Sequence, residues 1–358
     1  MNKNNGVEIE CLRYLDEHGV LLQPLPDSLN CRESLIELYR TLVTSRLFDE
    51  TAINLQRTGV IGTYASNKGQ EAIGTAIGKA MLVDDVFIPY YRDTSAQIQR
   101  GVLLEEILQY WGGDERGSHF AHQAKDFPLC VPIATQLCHA IGMAFALKYQ
   151  LKPNVAVVTC GDGATSKGDF YESLNIAGAM ALPTLFIVNN NQWAISVPLA
   201  QQTASETIAH KAFSVGIDAI RVDGNDVLGM LISLNSSLEK IRLTNKPYLI
   251  EAITYRICDH TTADDASRYM HPNQLEEAQK KEPLIRFKQF LTKQYSWAKN
   301  EDQGLYNQAT QLVETSIETY KKLPAQQDGE FFDYMYQQTP CDLAEQKHAF
   351  LEGLKRHE

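Results

Sequence analysis

Between Val86 and Tyr255 the chain alternates short apolar, β-branched runs with stretches of helical periodicity. The apolar runs are Val86–Pro89, Val155–Cys160, Thr184–Val188, Ala219–Val222 and Tyr248–Tyr255, and the helical stretches include about Thr135 to Leu151 and about Lys167 to Met180. Strands separated by helices are joined by right-handed crossovers and therefore pair in parallel. Val155–Cys160 is apolar on both faces, as a strand covered by helices on each side must be. The expected fold class is α/β, a parallel sheet flanked by helices. Upstream, Leu35, Leu38, Leu42, Val43, Leu47 and Phe48 mark an amphipathic helix over Arg32–Arg57. Three regions follow from this pattern. Residues 1–30, polar and carrying Pro24 and Pro26, read as an N-terminal arm; 31–270 form the α/β domain; 271–358 form a helical C-terminal part, with helices over Leu284–Gln294 and Tyr306–Leu323 and Pro324 as a stop.

The sequence that carries chemistry is Gly161-Asp162-Gly163, directly after one apolar run, together with Asn190-Asn191, after the next. Either half alone reads as a turn or loop. Together they fall at the carboxyl ends of neighbouring parallel strands, where open α/β sheets bind ligands. A short carboxylate and an amide oxygen, completed by a backbone carbonyl, phosphate oxygens and water, suit octahedral magnesium. Asp162 and Asn191 are the expected side-chain ligands. The glycines allow the backbone to approach phosphates, and a helix starting near Ser166 would present free N–H groups to the anion. No G-x-G-x-x-G follows any strand and no Walker A sequence is present, which argues against nicotinamide, flavin and P-loop nucleotides.

Composition narrows the classes further. With 33 basic and 44 acidic residues the net charge is -11, which disfavours nucleic-acid binding. The longest apolar stretches, such as Ala140–Leu147 and Leu182–Val188, fall far short of the roughly 18 residues a membrane helix needs. The opening MNKNNGVEIE has no apolar core and carries acids where a transit peptide carries arginines, so a cytoplasmic protein is expected. Seven cysteines, odd in number, without C-x-x-C and mostly in apolar stretches, read as reduced core thiols. His119 and His122 have zinc-like spacing but no third ligand of suitable spacing, and read as structural.

The run CGDGATSKGDFYESLNIAGAMALPTLFIVNNNQWAIS resembles the thiamine diphosphate motif of the alpha subunit of the decarboxylase component of 2-oxo acid dehydrogenase complexes. The likeness continues through LQRTGVIGTY, KGQEA, PYYRDT, VPIATQ, IRVDGNDV and IEAITYRICDHTTADDASRYM, across about residues 30–295. It implies the transketolase-like, diphosphate-binding fold, with thiamine diphosphate and Mg2+ as cofactors. It also implies Asp162 and Asn191 as metal ligands, with Trp193 adding its main-chain carbonyl where the family usually has tyrosine. Gly163 and Ala164 would meet the diphosphate through backbone amides, and Tyr91 and Arg92 match a pair whose arginine grips the terminal phosphate. Val131 and Ile133 fall where the family lays backbone and an apolar side chain on the cofactor rings. His260 matches a histidine facing the diphosphate and the reacting centre, suited to orienting groups and lending a proton. Met270 stands where many relatives carry arginine, with Arg268 as a nearby substitute.

As partners the resemblance implies a beta subunit in an α2β2 heterotetramer, a lipoyl domain of the dihydrolipoyl acyltransferase, and a small 2-oxo acid. The beta subunit would supply the glutamate that activates the cofactor, so the chain alone would be inactive. Pyruvate is the preferred substrate; a branched-chain 2-oxo acid and acetoin are the alternatives. A non-catalytic diphosphate-binding assembly subunit is a reading of another class, and intact Asp162, Asn191, Arg92 and His260 weigh against it.

Overall fold

The computed structural model describes residues 9–355; the first eight residues, which hold most of the segment read as lacking a leader, and the last three lie outside the described residues. Its elements are, in order, β1 (Cys11–Leu12), α1 (Arg32–Arg57), α2 (Glu71–Ala80), β2 (Val86–Ile88), α3 (Thr94–Arg100), α4 (Leu104–Trp111), α5 (Thr135–Tyr149), β3 (Ala156–Gly161), α6 (Gly168–Met180) and β4 (Thr184–Asn190). A hairpin of β5 (Trp193–Ala194) and β6 (Val197–Pro198) follows, then α7 (Leu199–Gln202), α8 (His210–Phe213), β7 (Asp218–Asp223), α9 (Val227–Thr244) and β8 (Tyr248–Ile253). The chain ends with α10 (Pro272–Lys280), α11 (Pro283–Tyr295), α12 (Lys299–Lys321) and α13 (Cys341–Lys355). Six strands form one parallel sheet in the order β1-β7-β8-β4-β3-β2.

Successive strand residues point to opposite faces, and here both faces are filled. Val155, Val157, Leu185, Ile187 and Ile250 enter a core shared with α1, α2, α9, α11 and α12. Their neighbours Ala156, Val158, Phe186, Val188 and Leu249 enter a second core shared with α5, α6 and α8. This alternation is why the central strands read as continuous apolar runs. A third cluster packs the second half of α1 on α4 and α12.

Beyond residue 271, Leu284, Phe287, Phe290, Leu291, Trp297 and Leu305 lie in the same core as Leu35, Leu38 and Leu42 of α1. Arg46 of α1 joins the two regions, with Glu71 at 2.6 Å and Glu282 at 2.7 Å. Breaking such a buried pair leaves an uncompensated charge, so the triad fixes how the three segments meet.

Several details depart from the sequence reading. Structure begins before Arg32: Cys11 and Leu12 add a strand alongside β7, and Asp226 accepts from the amides of Tyr14 and Leu15 at 2.6 and 2.8 Å. β4 extends to Asn190, whose carbonyl accepts from Thr254 at 2.9 Å, so the pairing outlasts the apolar run. α6 starts at Gly168, and a 3-10 turn over Asp162–Ser166 takes the place of the helical first turn expected near Ser166. Of the seven cysteines only Cys160 is buried; the others lie at intermediate or exposed positions. Local apolar context misled here, because Cys11, Cys31, Cys138 and Cys341 occupy outward-facing positions. In α5 the small residues divide: Ala140 and Ala144 are buried, Gly142 is exposed. No helix of the described residues is long and apolar enough to cross a membrane.

Phe290 is fully buried against Phe287, ring centroids 5.6 Å apart. Phe290→Ala is expected to destabilise the fold by about 3–5 kcal/mol, read as a lowered denaturant midpoint, whereas Leu243→Ala at a 77% exposed position leaves the midpoint nearly unchanged.

Candidate active site

The register of β3 on β4 pairs Gly161 with Asn189, so the turn after one strand and the loop after its neighbour leave the sheet side by side. A cavity of about 330 Å³ opens there. Its walls include Tyr91, Arg92, Ile133, Asp162, Gly163, Ala164, Asn191, Trp193 and His260, nine of the ten residues singled out from sequence. Val131, the tenth, is exposed and is not part of the wall.

Asp162 is almost wholly buried. Its Oδ2 accepts from Gln202 Nε2 at 2.9 Å, while Oδ1 has no partner among the described residues. Burial pushes its carboxyl up to about 6. A buried carboxylate oxygen without a donor is costly unless something else satisfies it, and a cation does so directly. Asn191 Oδ1 accepts from the Trp193 amide at 3.2 Å, which folds the loop back over the turn. Gln192 and Ile195 take positive φ, 73° and 56°, the latter costly for a β-branched residue. A Cβ on Gly163 would stand 2.8 Å from the Ala194 Cβ, so only glycine lets the turn touch the hairpin.

On the opposite wall, Arg92 donates through Nη1 to the Ser66 carbonyl at 2.7 Å and through Nη2 to both Nδ1 (2.9 Å) and the carbonyl of His260. Arg256 donates to the Ile195 carbonyl at 2.7 Å and to the Tyr269 hydroxyl at 2.6 Å. Neither guanidinium has a carboxylate within ion-pair distance among the described residues, although both are buried. Desolvation and the Arg92 charge lower the Arg256 value, and desolvation with both arginines pushes His260 down to about 4. A guanidinium only donates, so Nδ1 accepts and the neutral ring carries its proton on Nε2. His260 is therefore neutral here rather than a ready proton donor near pH 7. An anion between the arginines would raise it again.

Sequence reasoning missed Arg256 and Gln202. Nothing in the local pattern singles out Arg256, three residues past β8. Arg256 also settles the anchoring of the histidine loop. Arg268 is largely exposed and among the described residues reaches only Asp265, at 3.9 Å. Arg256 holds Tyr269 instead, whose hydroxyl donates to Asp264, which accepts from the His260 amide at 2.7 Å. Met270 is buried with Trp193 and Ala266, so the histidine loop has an apolar anchor of its own. His119 and His122 take no part in this site, and no group of three or more His, Cys, Asp or Glu among the described residues could hold a metal.

His260→Gln leaves the ring-specific readout empty, so the wild-type chain supplies the check: the His260 Cε1–H resonance is expected to stay at its neutral position from pH 8 to about 5 and move only towards about 4. A midpoint near 6.5 would contradict the double-arginine environment.

Residues 39–328 match the dehydrogenase E1 component family. Similar curated proteins are the pyruvate dehydrogenase E1 component subunit alpha of Staphylococcus aureus strain Mu50, 35% identical over 348 residues, covering 96% of this chain and 94% of that one. That of Acholeplasma laidlawii is 36% identical over 348 residues, covering 95% of this chain and all of that one. With most of its length matched by the family and by relatives of 35–36% identity, the chain belongs to the dehydrogenase E1 component family.

Proposed function

We propose that this chain is the alpha subunit of a pyruvate dehydrogenase decarboxylase component, holding the diphosphate end of thiamine diphosphate through Mg2+ and acting with a beta subunit. The observation that carries the reading is a single cavity that combines an orphaned buried carboxylate oxygen of Asp162 with the buried Arg92 guanidinium, which has no carboxylate partner among the described residues. These residues fit the implied group: a divalent cation satisfies Asp162, and a diphosphate gives Arg92 the anionic partner it lacks. When bound, the cofactor supplies the carbanion that adds to the 2-oxo group and the ring that accepts the electrons freed as carbon dioxide leaves.

The chain's own residues bind and orient. Asp162, Asn191 and the Trp193 carbonyl hold the metal, while the amides of Gly163 and Ala164 receive phosphate oxygens. Arg92 grips the terminal phosphate, steadied by the Ser66 carbonyl and by the Tyr91 ring 5.3 Å from its guanidinium carbon. His260, fixed through Nδ1, presents Nε2–H as a neutral donor, which suits an acyl carrier or substrate oxygen better than a metal. Trp193 and Ile133 limit water around the site. The exposed Phe145 and Tyr149 of α5, with Gly142 between buried alanines, offer an uncharged face suited to the beta subunit. The acyl group would pass to a lipoyl domain of the acyltransferase.

Asp162→Ala is expected to abolish cofactor-dependent turnover and shift the folding midpoint by no more than about 1 kcal/mol, because it removes a buried carboxylate with one hydrogen-bond partner. The chain co-expressed with its beta subunit, with Mg2+, thiamine diphosphate and an artificial electron acceptor, is expected to prefer pyruvate to 3-methyl-2-oxobutanoate. The reverse preference would assign a branched-chain enzyme, and no turnover in a tetramer with bound cofactor would favour acetoin or the non-catalytic reading.

A further inference from the structure

Lys211, in the short helix α8, is buried. Among the described residues no carboxylate lies within ion-pair distance of it. Its ammonium donates to the carbonyl and to the hydroxyl of Thr165, at 3.1 and 3.0 Å. The Thr165 hydroxyl donates in turn to the Asp162 carbonyl at 2.8 Å. The rings of Phe170 and Tyr171 lie 5.9 and 5.4 Å from the ammonium and close the remaining side. A buried ammonium is ordinarily paired with a carboxylate. This one is paired with a turn, Asp162–Ser166, whose amides and carboxylate line the cavity.

We propose that Lys211 is a positioning residue for the diphosphate: it pins the Asp162–Ser166 turn through Thr165 and places an uncompensated positive charge directly behind it. The inference rests on the thiamine diphosphate reading above and adds a residue that does not touch the ligand. Two physical effects combine. The chain from Lys211 through Thr165 to the Asp162 main chain fixes the metal ligand from behind. The charge, in a region of low dielectric, raises the potential at the turn's N–H groups and so favours the more highly charged anion. Burial of Lys211 against the fully buried Phe170 ring limits screening by water, which makes the charge effective across the thickness of one turn. Sequence patterning gives no hint of this, because Lys211 is 46 residues from Thr165.

The test uses the chain assembled with its beta subunit and measures the dissociation constants of thiamine diphosphate and thiamine monophosphate at fixed Mg2+. Lys211→Met is expected to weaken thiamine diphosphate about 10- to 100-fold, the range for losing one hydrogen-bonded charge. Thiamine monophosphate should weaken less, and kcat at saturating cofactor should stay within about twofold of wild type. Thr165→Val keeps the charge and removes the relay, and should give a smaller loss shared evenly by both ligands. Equal weakening of both ligands by Lys211→Met would reduce Lys211 to a structural stitch and overturn the electrostatic role. Unchanged affinities would overturn the whole inference. If Lys211→Met does not assemble, Lys211→Gln, which keeps a donor for Thr165 and removes only the charge, carries the same comparison. A wild-type complex that binds no thiamine diphosphate overturns the functional reading instead, so the two failures are distinguishable.

Discussion

The pairing of Gly161 with Asn189 is the constraint on which the site depends. Because β3 and β4 are parallel neighbours in this register, the turn bearing Asp162 and the loop bearing Asn191 emerge at the same height. A shift of one residue would turn every side chain of one strand to the other face. The two cores forbid that, since Val157 and Ile187 fill one and Val158 and Val188 the other. Ordinary hydrophobic burial on two faces thus sets the separation of two polar residues that contribute nothing to it.

Charge at the site follows a different logic from charge in the frame. In the frame, buried cations are matched: Arg46 with Glu71 and Glu282, Arg100 with Asp126, Arg286 with Asp223. Around the cavity the matching stops. Arg92, Arg256 and Lys211 are buried on carbonyl, hydroxyl and imidazole acceptors, and Asp162 retains a bare oxygen. A fold that matches its buried cations elsewhere and leaves these three without a carboxylate, beside one bare carboxylate oxygen, has the charge arrangement that the proposed metal-diphosphate ligand would complete.

Much of this was legible from sequence, for definable reasons. The two-faced apolar runs announced the parallel sheet, and strand ends in such sheets are where ligands sit, so Asp162 and Asn191 could be placed together. Boundaries were less legible: β4 runs on to Asn190 because a neighbouring strand supplies a donor, which no local pattern reveals. Cysteine burial was misread because an apolar neighbourhood in sequence does not say which face a residue takes. Arg256 and Lys211 escaped because their meaning lies in partners they lack, and absence of a partner is visible only in three dimensions. Val131 matched a motif yet stands outside the cavity wall in the chain by itself.

Trp193 is shared property. Its ring meets Tyr269 at 5.4 Å and packs with Met270 and Ala266 of the histidine loop, while its amide is held by Asn191. The strained hairpin and the histidine loop therefore have one small apolar cluster in common. Neither can come loose without costing the other its packing. In amide hydrogen-exchange terms the two segments form one cooperative opening unit, and whatever anchors Asn191 slows exchange as far away as Ala266.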